Sequence, residues 1–179
     1  MSADWRSDIL KFWFGLGYDD WWKADPALDH LIRQRFLKLW AEKRQLPVES
    51  FVGDPLTAVA AVILFDQFPR NMFRGHADQF ATDHLALAIA KGAFANEFDK
   101  DLDRYERAFL SMPFQHSEYL ADQDRAVLIL SAIGEEHMLG YAKKHRDTIA
   151  RYDRFPHRNA ILGRAPRPGE PAGDEALNW

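Results

Sequence analysis

Three stretches of the sequence concentrate side chains that can bind ions or move protons. The first runs Asp66-Gln67-Phe68-Pro69-Arg70-Asn71-Met72-Phe73-Arg74-Gly75-His76. Asp66 and Arg70 are four residues apart, a spacing that pairs charges on one helix face. Arg70, Asn71 and Arg74 offer planar guanidinium forks and an amide, donors suited to a carboxylate or phosphate. The second stretch, Arg151 to Asn159 and on to Arg164, repeats the theme of Phe-Pro followed by Arg-Asn. It supplies Arg154, His157, Arg158 and Asn159 as further ligand-binding candidates. The third, Pro113-Phe114-Gln115-His116-Ser117-Glu118, reads as a helix N-terminus, where backbone N–H groups favour anions.

The same residues admit a catalytic use. His116 or His145 would act as general base, with Asp66 or Glu118 as the orienting carboxylate. His145 shares an apolar stripe with Met138, Tyr141, Ala142, Ile149 and Tyr152, so it is expected to point inward. A lone inward histidine is usually a hydrogen-bonded core group. Convergence of His116, His145 and His157 would instead make an acid–base or metal-binding set. Their spacing matches no metal pattern such as H-E-x-x-H, and phosphate-loop, dinucleotide and G-x-S-x-G motifs are absent. No metal and no cofactor is expected.

Helices must position these groups, and their punctuation is legible. Asp25-Pro26 and Asp54-Pro55 each place an acidic N-cap before a proline at the first helical position. Thr82 or Asp83, Asp101 and Ser117 are candidate caps for later helices, and Gly134 separates two more. The run Ala58–Phe65 is apolar all round, which predicts a central buried helix, and Pro69 should kink or end it. Strict alternation of β-branched residues is absent, so the expected class is all-α, with about seven helices as antiparallel neighbours. Residues 1–164 are expected to form one helical domain, and 165–179 a loose Pro/Gly-rich tail, with Leu177 and Trp179 docking back.

Composition narrows the setting. The chain has 179 residues, 47% hydrophobic and 28% charged, enough to bury a core. Trp5, Trp13, Trp21, Trp22 and Trp40 crowd the first forty residues, which are therefore expected to pack onto the core. The net charge is −4, yet residues 140–167 carry eight Lys/Arg against two acids. That segment is +6 and the rest −10, a pattern for internal pairing or for an anionic ligand. Cysteine is absent, and there is neither a basic leader nor a long apolar run. A cytoplasmic location without a membrane partner is expected. Nucleic acid is a poor fit for an acidic chain without an aromatic–basic platform.

The motifs LFDQFPRNMFRG (Leu64–Gly75), FATD (Phe80–Asp83), PFQHSE (Pro113–Glu118) and YAKKHRDTIARYDRFPHRNAILGR (Tyr141–Arg164) resemble those of the DUF924 family. Tyr152-Asp153 stands where the family pattern resembles Phe-Gly, and the tail after Arg164 is proline-rich instead of a short Ser/Thr-led helix. The resemblance implies an α-α superhelix similar to tetratricopeptide-repeat proteins, which favours stacked hairpins over a closed bundle. It brings no catalytic residues. Asp66, Gln67, Arg70, Asn71, Arg74, His116, Glu118, His145, Arg154, His157, Arg158 and Asn159 match its pattern. Three readings follow: a binding module holding a small anionic ligand or acidic peptide, a His–carboxylate hydrolase or transferase, and a structural protein.

Overall fold

The computed structural model describes residues 4–171. They are helical, with no strand among the described residues, as the hydrophobic spacing predicts. The α-helices are α1 (Trp5–Phe14), α2 (Pro26–Lys43), α3 (Pro55–Val62), α4 (Phe68–Met72), α5 (Asp83–Ala95), α6 (Arg104–His116), α7 (Leu120–Ile133) and α8 (Glu136–Tyr152). A π-helical stretch, Ile63–Gln67, joins α3 to α4 without a break. Counting 55–72 as one rod gives seven helices among the described residues. None of them is long and apolar enough to cross a membrane. The chain divides into two compact units, Met1–Leu110 and Ser111–Trp179, with the boundary inside α6.

In the first unit the rod is the core. Every residue from Ala58 to Phe65 is fully buried, under Ile9 and Trp13 of α1, Ile32, Phe36 and Trp40 of α2, and Leu85, Ala86 and Ile89 of α5. Alanines at 58, 60 and 61 and at 86, 90 and 93 keep α3 and α5 slim where they meet. The early tryptophans pack inward as expected. Trp13 lies edge-on to Phe109 at 5.5 Å, Trp21 at 4.9 Å, and Trp22 stacks on the same ring. Asp25 and Asp54 cap α2 and α3 through Ala27 N–H (2.8 Å) and Thr57 N–H (2.9 Å).

Pro69 does not end the rod: the helix continues to Met72, and the π-helical stretch just ahead of the proline takes up the disturbance. Proline has no N–H to give the Phe65 carbonyl four residues back. The Thr82 hydroxyl donates to that carbonyl at 2.6 Å, and Trp40 Nε1 donates to Thr82 Oγ1 at 3.1 Å. Thr82 therefore serves the buried rod instead of capping α5 with its side chain. Thr82→Val should cost about 1.5 kcal/mol by stranding two buried polar groups, whereas Thr82→Ser should recover most of it. Urea unfolding of the three proteins measures this.

In the second unit α7 and α8 form a hairpin around Gly134, whose left-handed φ of 71° ends α7. Asp153 ends α8 with φ of 57°, a conformation that glycine adopts without cost and aspartate tolerates. Two caps differ from expectation. Asp103, not Asp101, caps α6, accepting from Tyr105 N–H and Glu106 N–H. Ser117 accepts Tyr119 N–H and donates to Asp122, just ahead of α7.

Candidate functional site

The stretch around Arg70 forms a charge lattice within the first unit. The Arg70 guanidinium grips Asp83 with both terminal nitrogens, at 2.8 and 3.0 Å. It also lies 3.4 Å from the fully buried Asp66, whose other oxygen accepts Gln67 Nε2 at 2.6 Å. Burial alone would lower the Arg70 pKa, but the Asp66 and Asp83 charges reverse that and raise it. Asp29 on α2 accepts Asn71 Nδ2 (2.8 Å) and two nitrogens of Arg74 (2.6 and 2.9 Å). Burial pushes the Asp29 carboxyl up; the hydrogen bonds from Arg74 and Asn71 outweigh it and hold it below the usual range. Arg33 closes the group by donating to the Met72 carbonyl at 2.7 Å.

The other two stretches meet within the second unit. The sequence Pro113–Glu118 lies at the C-terminal end of α6 and the turn beyond it, not at a helix N-terminus. Residues 113–116 therefore present no helix N-terminal N–H groups to an anion. Phe155, fully buried, is the hub. His145 packs edge-on to it at 5.2 Å and His157 lies 5.4 Å away, while the His116 ring is 6.2 Å from His145. Arg158 lies over the Phe155 ring at 4.4 Å and donates to the His116 carbonyl at 3.1 Å. His145 and His157 thus flank one aromatic ring, and His116 lies beside His145. No group of three or more His, Asp or Glu side chains among the described residues is arranged to hold a metal ion.

Two carboxylates tie this cluster down. Glu118 accepts Arg164 Nη1 and Nη2 at 2.7 and 3.0 Å and the Phe155 N–H at 2.8 Å. Burial raises the Glu118 carboxyl, but Arg164, the Phe155 N–H and the Arg158 charge draw it below the usual range. Glu170 accepts Arg154 Nε at 2.6 Å and Nη2 at 2.8 Å, Asn159 Nδ2 at 2.9 Å and the Arg167 N–H at 2.8 Å. The bond from Arg154 is the chief reason its carboxyl is pulled down to about 2. Arg164 Nε donates to Asn159 Oδ1 at 3.0 Å, linking the two carboxylates through one amide.

A sequence profile described as a bacterial protein of unknown function (DUF924) matches residues 9–173. The chain belongs to the DUF924 family. A solved structure of a protein of unknown function from Agrobacterium tumefaciens is 36% identical. The similarity covers 94% of this chain and 95% of that one, with a TM-score of 0.85. No curated protein matches. The lattice partners Asp29 and Glu170 lie outside the motifs that mark the family resemblance, which is why motif reading did not find them. Asp83 and Arg164 do fall within those motifs. Their role is visible only once Arg70 and Glu118 are seen to face them.

Proposed function

We propose that this DUF924 chain is a cytoplasmic binding module of tetratricopeptide-like helix pairs. It holds a carboxylate-bearing ligand, a small anion or an acidic peptide, at Arg154 and Asn159. One observation carries the reading: these two side chains already form a cradle for a carboxylate, that of Glu170. Both receptor residues are buried, so their donors are fixed in direction before a ligand arrives. Arg158 and His157 flank them in sequence, Arg158 adding positive potential. Arg70, Asn71 and Arg74 are committed to Asp66, Asp83 and Asp29 and contribute as scaffold. Glu118 is likewise engaged by Arg164, an arrangement that suits an anchor better than a catalytic relay.

Calorimetric titration of citrate into the full-length protein tests this. Arg154→Ala should weaken binding by about tenfold or more, the value of one bidentate charged contact. Arg146→Ala, which removes an exposed guanidinium paired with Asp124 and Asp147, should leave it unchanged. Equal affinity of Arg154→Ala and the parent protein would sink the reading.

A further inference from the structure

The carboxylate in the cradle belongs to the chain's own tail. Residues 165–169 (Ala-Pro-Arg-Pro-Gly) are exposed, and the backbone turns at Gly169, whose φ is 85°. Among the described contacts of this segment, the Glu170 carboxylate on Arg154 and Asn159 and the Ala165 carbonyl on Arg154 Nη2 (2.8 Å) bind it at the cradle. The Glu170 side chain is only 2% exposed, although the segment leading to it is open. The receptor side is different in kind. Arg154 follows directly on the helix-ending Asp153, and Asn159 is braced by Arg164, which is in turn locked to Glu118. A buried receptor holding an exposed segment by one carboxylate and one carbonyl, with Arg167 Nη1 donating to the Tyr152 carbonyl at 3.4 Å beside them, is the geometry of peptide capture.

We propose that residues 165–170 are a built-in occupant of this site. Its ligand in trans is an acidic peptide presenting the same two groups, a carboxylate and a backbone carbonyl upstream of it. This rests on the carboxylate-binding reading above. A tethered occupant competes at an effective concentration in the millimolar range for a short linker. The parent protein therefore binds the free peptide weakly, by the fraction of time that the strap is off. Two prolines stiffen the strap, which limits the entropy gained on its release.

The test uses the full-length chain and an acetylated, amidated peptide Ala-Pro-Arg-Pro-Gly-Glu, the sequence of residues 165–170, with citrate as a second probe. Glu170→Gln should bind the peptide about tenfold or more tighter than the parent, since the cis competitor loses its charge. Adding Arg154→Ala to that variant should abolish the gain. A measurement on the unaltered protein guards against a folding defect in the variant. Excess peptide should speed amide hydrogen exchange at Arg167, whose N–H donates to the Glu170 carboxylate while the strap is seated. Equal peptide affinity in parent and Glu170→Gln, with no change in exchange at Arg167, overturns the strap and leaves the carboxylate site standing. Binding of citrate but not peptide overturns the ligand class alone. Failure of every protein to bind either probe removes the site itself.

Discussion

Arg70→Ala is expected to destabilise the protein by about 4 kcal/mol, the usual cost of deleting one partner from a buried ion pair. The variant takes the guanidinium away from two carboxylates at once. Asp66 is fully buried and Asp83 only a fifth exposed, so neither recovers much from water. The hydrogen bond from Arg70 to the Asp66 carbonyl goes as well, inside the π-helical stretch where regular backbone bonding is already disturbed. Arg70→Lys keeps the charge but cannot grip both oxygens of Asp83, so it should recover only about half of the loss. Denaturant unfolding of the three proteins measures both. A loss below about 1 kcal/mol for Arg70→Ala would place this lattice with ordinary surface pairs and return Arg70 to the ligand-binding candidates.

The contrast between the two lattices explains what could be read from the residues alone. Helix positions follow from local chemistry: the Asp-Pro caps at 25–26 and 54–55, the apolar run 58–65 and Gly134 each act within one turn. Helical spacing equally predicted that Asp66 and Arg70 face each other. What it could not supply were the partners across the fold. Asp29 is an unremarkable acid in the first turn of α2, and only packing brings it to Asn71 and Arg74. Pro69 showed that the rod must be disturbed, but not that a π-helical stretch and the Thr82 hydroxyl would absorb the disturbance. Pro113-to-Glu118 was misplaced for a similar reason. Ser117 reads as the cap of a new helix, yet Pro113 to His116 still belong to α6, and α7 begins only at Leu120. The Pro/Gly composition of residues 165–170 carried no hint that Glu170 is fixed by four donors.

Stability should fall as the pH drops from about 6.5 to 4, with His157 contributing to the loss in that window. Burial, then the positive charge of Arg158, lowers the His157 pKa from 6.5 to about 4, with Arg164 and His116 acting in the same direction and Glu118 against them. The unfolded chain takes up a proton in this window that the folded chain refuses, so folding is penalised increasingly until both states are protonated. A shift of that size corresponds to about 3 kcal/mol, which the ring's partial exposure reduces to about 2 kcal/mol. Glu118 adds a second loss at lower pH. Its folded pKa lies below the ordinary glutamate value of 4.5, so its stabilisation is complete above that value and disappears as pH falls through the folded one. The histidine's loss begins near pH 6.5, above the pH at which Glu118 starts to lose its stabilisation. His157→Gln should flatten the stability profile between pH 6.5 and 4 while keeping the loss below 4.5. Chemical denaturation at closely spaced pH values separates them. An unchanged slope in the variant would mean that another group carries the upper window, and that His157 is more open to water than its place beside Phe155 requires.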